Sequence, residues 1–294
     1  MRSGFVSFVG RPNVGKSTLL NSVIGKKIVI TSNKNNTTRH NIQGIYNDQD
    51  SQIIFVDTPG IHKPKEKLGK YLNQKAYYTI DDVDIICLLV DASKSIGTGD
   101  KYVIEKLHNQ KKPVFLIINK IDLINRDDLL VKIDEYRKLM DFTEIIPVSA
   151  TKKNNIERLI KVIKHYLPDQ IKYYEDNTIT SQTDAFIISE IVREKVMRLT
   201  HDEVPYAVTT VIEKFNDKKD LLELGVLIIV DRENLKGMIL GKGGSMIKEI
   251  GIQARNDIEA YFDKKVYLEL YVKVIEKWRE KERYLEEFGI KKID

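Results

Sequence analysis

The sequence contains one cysteine, no long apolar run and no internal repeat. Because Cys87 is the only cysteine, no disulfide can form within the chain, and a reducing compartment is expected. No run of about 18 apolar residues occurs, so no membrane-spanning helix is expected. The opening MRSGFVSFVG has no signal-peptide pattern. We therefore expect a cytoplasmic protein, and 294 residues are enough for one large domain or two ordinary ones.

Positive charge is distributed unevenly along the chain. The whole sequence carries +5, but residues 181–294 hold 20 Lys or Arg against 22 Asp or Glu, a net charge of −2. The first 180 residues then carry +7. A nucleic-acid site in the second half must therefore be a local basic patch, not a general positive field.

Short apolar runs alternate with helical stretches in the first half. The runs indicate strands that end at Gly, Asp, Asn or Ser: FVSFVG, QIIFVD, VDIICLLVDA, KPVFLIINK and TEIIPVSA. This alternation is typical of an α/β fold with a mostly parallel sheet and helices on both faces. In such sheets ligands bind at the carboxyl ends of the strands, and the candidate motifs all lie there.

The chain is predicted to divide into two domains. We place the first domain at 1–167, a polar linker at 168–182, a smaller α+β domain at 183–275 and a charge-dense tail at 276–294. The second domain is expected to contain a helix, two strands, two helices around a glycine loop, and a final strand. The second candidate motif lies in the glycine loop between these two helices.

GRPNVGKS, residues 10–17, matches a P-loop between a strand and a helix. Glycines let the backbone N–H groups face phosphate oxygens, and the helix N-terminus adds its dipole. Lys16 is expected to reach the β- and γ-phosphates, and Ser17 to ligate Mg²⁺. The residues of this motif predicted to bind GTP are Gly10, Arg11, Pro12, Asn13, Val14, Gly15, Lys16, Ser17 and Thr18.

Three further motifs follow in the order of a guanine-nucleotide site. Asp57 of DTPG is expected to hold Mg²⁺ through water, and the Gly60 N–H to meet the γ-phosphate. Asp122 of NKID can accept both N–H donors on one edge of guanine, which selects GTP over ATP. A backbone N–H near Ala150 is expected to donate to the guanine O6. The GTP-binding residues predicted here are Asp57, Thr58, Pro59, Gly60, Ile61, Asn119, Lys120, Ile121, Asp122, Ser149 and Ala150.

The polar loop SNKNNTTRH is predicted to be a nucleotide-sensitive switch. Thr38 is the expected Mg²⁺ ligand in the GTP state, with Thr37 as the alternative. Ile61 occupies the position of the water-orienting glutamine of Ras-type switches, so slow intrinsic hydrolysis is expected. His62 is a weaker candidate base, because a histidine in a mobile loop more often faces solvent. The predicted catalytic groups are Lys16, Thr38 and Gly60, and the predicted metal ligands are Ser17, Thr38 and Asp57.

NLKGMILGKGGSMIKEIG, residues 234–251, places a G-x-x-G loop between two helical segments. Residues 234–248 contain three lysines and no acid, a local charge of +3 in a half that is negative overall. The pattern is typical of the KH loop, which holds about four nucleotides of single-stranded RNA. A plain helix–turn–helix with core packing is the alternative. The predicted RNA-binding residues are Lys236, Met238, Leu240, Gly241, Lys242, Gly243, Gly244, Ile247 and Lys248.

Together these motifs resemble the Era-like family of bacterial ribosome-assembly GTPases. The resemblance covers nearly the whole chain and extends to EIVREKVMRLTHDEVPYAV and WREKERYLEEFG. It implies a P-loop GTPase domain followed by a KH type II domain, with GTP and GDP as ligands and Mg²⁺ as cofactor. In relatives with asparagine at the position of Asn13, that residue helps to hold K⁺, so K⁺ is expected there too.

The same resemblance implies a role in ribosome assembly. The expected partners are the 3′ end of small-subunit (16S) rRNA and the 30S precursor, whose maturation the GTP state would control. RNA is expected to stimulate hydrolysis, and we expect a monomer that is cytoplasmic and associates peripherally with the inner membrane.

Two other functions remain open at this stage. The second domain and the amphipathic tail, with Trp278, Tyr284 and Phe288 among Lys and Arg, could bind protein or membrane under GTP control. An ATPase is disfavoured by Asp122.

Overall fold

The computed structural model describes residues 1–34, 37–64 and 66–290, which form two packed domains joined by an extended segment. The first domain is an α/β domain with a mostly parallel sheet. The second is a smaller α+β domain with a three-stranded sheet. The predicted fold class is therefore confirmed.

The central strands of the first domain are buried on both faces. The six strands are β1 (Arg2–Val9), β2 (Ile42–Asn47), β3 (Ser51–Asp57), β4 (Ile85–Asp91), β5 (Val114–Asn119) and β6 (Glu144–Pro147). They are ordered β2-β3-β1-β4-β5-β6, and only the β2–β3 pair is antiparallel. Helices cover both faces of β3, β4 and β5, which explains why these strands are continuous apolar runs.

β2 is the strand that the apolar runs do not reveal. It lies at the edge of the sheet, and its sequence IQGIYN mixes polar and apolar residues. A tight turn follows it, in which the Asp48 N–H donates to the Ser51 carbonyl at 3.0 Å. Because so short a connection can join only antiparallel neighbours, β2 runs against the direction of β3.

Five helices cover the two faces of this sheet. They are α1 (Lys16–Ile24), α2 (Lys67–Asp82), α3 (Thr98–Leu107), α4 (Arg126–Arg137) and α5 (Ile156–Tyr166). α1 and α5 bury their apolar side chains against one face. α2, α3 and α4 bury theirs against the other. The carboxyl ends of β1, β3 and β5 meet at one edge of the sheet, where the predicted nucleotide motifs begin.

The segment between α5 and the second domain is fixed along the first domain. The Pro168 carbonyl accepts from the Ser3 N–H at 3.2 Å, and the Ile179 carbonyl accepts from the Ile45 N–H at 2.9 Å. Between these points, the Gln52 side-chain oxygen accepts from the Tyr173 N–H at 2.7 Å. The predicted linker is therefore an ordered part of the GTPase domain's surface and not a flexible tether.

Helices cover one face of the second domain's sheet. The elements are α6 (Asp184–Leu199), α7 (Val204–Ala207), β7 (Thr209–Asp217), β8 (Leu221–Val230), α8 (Glu233–Leu240), α9 (Ser245–Phe262) and β9 (Lys265–Val274). β7 and β8 are antiparallel, whereas β8 and β9 are parallel and β9 forms an edge. A single apolar core lies between this sheet and α6, α8 and α9.

The tail folds back between the two domains. A 3₁₀ turn at Trp278–Glu280 precedes α10 (Glu282–Glu287). Trp278 is fully buried, and it shares an apolar cluster with Leu68 and Leu72 of α2 and Ile229 of β8. Because this cluster uses the apolar side of the tail, the amphipathic pattern is explained by contacts within the protein. Among the described residues, the model contains no helix with the length and apolarity needed to span a bilayer.

Candidate functional site

Two glycines give the loop between β1 and α1 its shape. Gly10 and Gly15 have φ of +149° and +101°, values that other residues rarely adopt. A Cβ on Gly10 would lie 2.5 Å from the Leu89 carbonyl oxygen, and one on Gly15 would lie 2.3 Å from Asn119 Nδ2. The loop can therefore curl around a phosphate only with glycine at both positions.

Lys16 lies inside this curled loop. Its ammonium donates to the carbonyls of Gly10 and Arg11, both at 3.3 Å, and its side chain is buried. Burial lowers the pKa of Lys16 to about 8, although the nearby Asp57 carboxylate opposes this shift. The predicted phosphate ligand is therefore placed at the loop's centre with only weak hydrogen bonds to give up.

The three predicted metal ligands converge on one point. Asp57 Oδ2 accepts from Ser17 Oγ at 2.7 Å and from Thr38 Oγ1 at 3.1 Å, and the two hydroxyls are 3.0 Å apart. Asp57 Oδ1 is buried without a hydrogen-bond partner. Burial raises the pKa of Asp57, while the Lys16 charge and the two hydroxyl hydrogen bonds lower it. Hydroxyl and carboxylate oxygens at this spacing fit a Mg²⁺ ion, which prefers such ligands.

The alternative switch residue is directed elsewhere. Thr37 Oγ1 donates to the Lys34 carbonyl at 2.7 Å. The structure thus brings Thr38, and not Thr37, to Asp57. Residues 35 and 36 of the same loop lie outside the described residues.

Asn119 organises the base-binding side of the site. Its Nδ2 donates to the Val14 carbonyl at 2.9 Å, and its Oδ1 accepts from the N–H groups of Lys120 and Ala150 at 2.8 and 3.0 Å. The Ala150 N–H is thus already engaged, so the predicted bond to guanine O6 requires this contact to be exchanged. Asn119 links the P-loop to both loops that are predicted to contact the base.

The predicted base-selecting residue is exposed at the end of its loop. Asp122 is solvent-exposed, and its Oδ1 accepts from Ser149 Oγ at 2.5 Å. Lys120 Nζ pairs with Asp91 at 2.6 Å and donates to the Asn13 carbonyl at 2.9 Å. Ser149 therefore orients the Asp122 carboxylate, and Lys120 lies across the P-loop, as expected of a residue that covers the base.

Several predicted GTP-binding side chains have structural partners instead. The side chain of Ile61 is fully buried in the core beneath α2 and α3. Only its backbone borders the site, where the Ile61 N–H donates to the Gly10 carbonyl at 3.1 Å. Arg11 pairs with Asp100 at 2.9 Å, and Thr58 Oγ1 donates to the Phe8 carbonyl at 2.9 Å. The GTP-binding role of these three residues stays a prediction, and their side-chain partners indicate that any contact with GTP would come from the backbone. Ile121 also packs partly against this core.

His62 is held by its own loop. Its Nδ1 lies 2.9 Å from the Gly60 carbonyl oxygen, and its backbone carbonyl accepts from Asn73 Nδ2 at 2.6 Å. The ring therefore lies beside the predicted γ-phosphate contact and is not directed freely into solvent.

A cavity of about 220 Å³ lies between the P-loop and the switch loop. Predicted residues that line it include Lys16, Ser17, Thr38, Gly60 and Lys120. Five further residues line it that were not among the predicted GTP-binding residues: Thr31, Ser32, Asn33, Lys34 and Thr151. Four of them precede TTRH in the same polar loop. Their position in the sequence, next to the predicted switch threonine, could have indicated that they border the nucleotide site.

The glycine loop of the second domain is open to solvent. It joins α8 to α9, and Gly241, Gly243 and Gly244 have φ of +71°, +59° and +77°. A Cβ on Gly241 would lie 2.8 Å from the Met246 nitrogen, but one on Gly243 or Gly244 would meet nothing within 4 Å. Gly241 therefore shapes the turn, while the other two leave space for a ligand backbone.

The side chains around this loop are basic or apolar. Lys242, Lys248 and Met238 are exposed, whereas Leu240 and Ile247 are half-buried. Lys236 lies 3.7 Å from Glu233, which partly offsets its charge. The edge strand β9, which the sequence predicts as the final strand, exposes Tyr267 and Tyr271, and these two tyrosines were not among the predicted RNA-binding residues.

Known proteins resemble this chain over both domains. A family model described as a 50S ribosome-binding GTPase matches residues 5–120, and a KH domain model matches residues 203–279. The crystal structure of Era in complex with MgGDPNP and nucleotides 1506–1542 of 16S ribosomal RNA is 40% identical, with a TM-score of 0.96. The match covers 99% of this chain and 100% of that one. A single-residue variant of Aquifex aeolicus Era bound to GDP·AlF₄⁻ matches with the same identity, coverage and TM-score.

Proposed function

Since the chain belongs to the Era family of GTPases, we propose that it is a Mg²⁺-dependent switch that binds the 3′ region of 16S rRNA in its GTP state. The chain is a GTP hydrolase with a KH domain. Binding of rRNA would promote maturation of the 30S subunit, and hydrolysis would release the precursor. The convergence of Ser17, Thr38 and Asp57 is the observation that carries the proposal, because it joins the switch loop to the metal position.

The residues of the nucleotide site have separate roles in this proposal. Lys16 neutralises phosphate charge, and the backbone N–H of Gly60 contacts the γ-phosphate. Ser17, Thr38 and Asp57 would hold Mg²⁺, which supplies positive charge to the β- and γ-phosphate oxygens when bound. Because the Ile61 side chain is buried and apolar, the attacking water would be positioned by backbone groups and the bound metal, with the His62 ring beside Gly60 as the weaker candidate. Slow intrinsic hydrolysis follows from this arrangement.

The glycine loop supplies the RNA contacts in this proposal. Gly243 and Gly244 leave room for the sugar–phosphate backbone, and Lys242 and Lys248 supply charge on either side. Bases would lie towards Leu240 and Ile247. The similar Era structure with 16S rRNA nucleotides supports RNA as the partner over a protein.

We also propose a K⁺ ion near Asn13. Asn13 Nδ2 donates to the Asn33 carbonyl at 3.0 Å, so this residue already joins the P-loop to the switch loop. A monovalent cation there would add positive charge near the oxygen that bridges the β- and γ-phosphates of GTP, where other GTPases use an arginine. Hydrolysis should be faster in KCl than in NaCl at equal ionic strength, and equal rates would remove the K⁺ from the proposal.

The proposed location is the cytoplasm, where 30S precursors assemble, and the proposed state is a monomer. The buried Cys87 is compatible with a reducing compartment. Peripheral membrane association would use surfaces other than the Trp278 and Leu285 face of the tail, because these residues are buried.

A binding titration tests the RNA switch. An oligonucleotide from the 3′ end of 16S rRNA and a scrambled control would be titrated at one fixed salt concentration with protein loaded with a GTP analogue or GDP. Selective binding in the GTP state alone is expected. Equal binding of both oligonucleotides in both states would contradict the proposal.

Two variants of one glycine localise the RNA site. Asp and Asn both tolerate the positive φ of Gly243, and a Cβ there meets no neighbour, so both variants should fold. Gly243→Asp should abolish RNA binding by charge repulsion, whereas Gly243→Asn should weaken it less. If both bind RNA like the native chain, the loop is not the RNA site.

A further inference from the structure

One helix of the second domain contacts both ends of the switch loop. The switch loop is residues 31–39, of which 31–34 and 37–39 are described. It carries Thr38, which reaches Asp57 in the nucleotide site. The contacting helix is α6, whose EIVREKVMRL segment faces the GTPase domain. The loop thus lies between the nucleotide site and the KH domain.

The first end of the switch loop is attached through Glu194. This carboxylate is fully buried, and it accepts from the Thr31 N–H at 3.0 Å. Lys27 and Arg198 neutralise its charge at 2.5 and 3.0 Å. Arg198 also donates to the Thr31 carbonyl at 3.2 Å. Both polar groups of the Thr31 backbone are therefore bonded to α6.

The second end is attached through two buried arginines. Arg193 donates to the Thr37 carbonyl, and Glu190 holds its guanidinium with two bonds of 2.7 and 2.6 Å. Arg39 reaches in the opposite direction and donates to the Val208 carbonyl at 2.6 Å in the KH domain. The residues immediately before and after Thr38 are therefore both bonded to the second domain.

The burial of these charges indicates that the contacts are more than incidental surface pairs. Arg193 and Arg39 are each 1% exposed. Burying a guanidinium is strongly unfavourable unless it is well paired, so such contacts are rarely retained without good geometry. Burial and the neighbouring Arg193 lower the pKa of Arg39 to about 9. Arg193 is the better compensated of the two, because Glu190 offers it a bidentate carboxylate partner.

We propose that Arg193 is a positioning residue for the nucleotide site: by holding the Thr37 carbonyl, it places the Thr38 hydroxyl at Asp57 and so favours the GTP state. This inference deepens the proposed switch function and rests on it. Because Thr38 is needed for the GTP state alone, Arg193 should influence GTP binding and not GDP binding. By linkage, bound GTP must stabilise the contact between α6 and the switch loop to the same extent.

Dissociation rates of fluorescent nucleotides test this role in the full chain. Arg193→Lys keeps a positive charge beside Glu190 but loses the forked geometry. The double variant Glu190→Gln/Arg193→Met removes both charges of the pair, so neither partner is left as an unpaired buried ion, and Arg39 keeps its hydrogen bonds to the Val208 and Tyr206 carbonyls. A non-hydrolysable GTP analogue should dissociate about tenfold faster from the double variant and by an intermediate factor from Arg193→Lys. GDP dissociation should be unchanged in both.

A second measurement and a matched control separate positioning from folding. In both Arg193 variants, tight binding of the GTP analogue should need a higher Mg²⁺ concentration than in the native chain. The Mg²⁺ concentration needed for GDP binding should stay the same. Thr210→Val removes a buried hydrogen bond of 2.8 Å to the Ser189 carbonyl of α6 but none of the hydrogen bonds that α6 makes to Thr31 and Thr37. It should leave both nucleotide rates unchanged.

The outcomes distinguish the two proposals. If the Arg193 variants release GTP analogue and GDP equally fast, or if Thr210→Val has the same effect, Arg193 only supports the fold and the inference fails. If the native chain does not bind the GTP analogue at all, the proposed function fails instead.

Discussion

At the scale of single residues, Ile61 shows how the core restricts the chemistry of the site. It follows DTPG, yet its side chain is fully buried among the apolar residues beneath α2 and α3. A glutamine at this position could not reach a nucleotide-bound water without leaving the core. The hydrophobic residue after DTPG is therefore a packing residue. The core of this fold needs an apolar side chain at the position where Ras-type switches have glutamine.

Substitution of Ile61 tests this interpretation. Ile61→Gln should lower the free energy of unfolding by about 3 kcal/mol, because apolar contacts are lost and an amide is buried without partners. It should not increase kcat. Denaturant unfolding and steady-state hydrolysis would check both results, with Ile61→Val, expected to cost about 1 kcal/mol, as control. A faster and equally stable Gln variant would contradict the buried role.

The lowered pKa of Lys16 predicts a pH dependence of nucleotide binding. Its ammonium form binds phosphate, but with a pKa of about 8 the free protein increasingly loses that proton above pH 8. Binding above this pH must therefore take up a proton, and affinity should fall as pH rises, by at most about tenfold per unit. Below about pH 7 this residue should cause no proton uptake.

Calorimetry in two buffers of different ionisation enthalpy measures the proton uptake. The titration should stay below the pH at which guanine itself loses a proton. Affinity that is constant through pH 8, with no buffer dependence, would mean that Lys16 is fully charged in the free site.

We predict that Asp122 selects the base in this site. Asp122→Asn replaces one acceptor with an amide donor, so it should weaken GTP binding strongly and favour a xanthine nucleotide. The ratio of GTP to XTP affinity is the measurement. An unchanged ratio, or ATP bound as tightly as GTP by the native chain, would remove Asp122 from base selection.

At the scale of elements, sequence motifs located the P-loop, the guanine-specific loop and the glycine loop between α8 and α9. These motifs can be recognised because each one is a local chain geometry with fixed residue requirements. β2 could not be found in this way, because its sequence IQGIYN mixes polar and apolar residues. The docked segment after α5 could not be found either, because its structure depends on hydrogen bonds to distant parts of the first domain. The inward direction of Ile61 likewise depends on packing that no local pattern encodes.

The element between α8 and α9 gives a prediction for salt dependence. Lys242 is exposed in the glycine loop, where its ammonium can approach one RNA phosphate. Lys242→Ala should weaken RNA binding for all sequences and reduce the slope of log K against log salt by about one. RNA titrations at several salt concentrations measure the slope. An exposed lysine on α5, Lys161, is a suitable control, and an equal change there would point to general charge loss.

At the scale of the whole molecule, the two domains are joined by more than the segment between them. α6 contacts the switch loop, and the tail contacts α2, which follows DTPG. Arg279 pairs with Glu66 at 2.8 Å on the GTPase side and with Asp231 at 2.7 Å on the KH side. The switch loop and the segment that follows DTPG are therefore both in direct contact with elements of the second half of the chain.

Because Trp278 is buried at this junction, its intrinsic fluorescence can report on the contact between the tail and α2. Trp278 is the only tryptophan, and its indole N–H donates to the Ala207 carbonyl at 2.9 Å while its ring contacts the α2 cluster. Any rearrangement that separates the tail from α2 would admit water to the indole and shift its emission to longer wavelength. A change in domain arrangement caused by nucleotide or RNA should therefore be visible as a shift of tryptophan emission in unlabelled protein. An emission maximum that is identical in every ligand state would mean that this junction stays closed throughout the cycle.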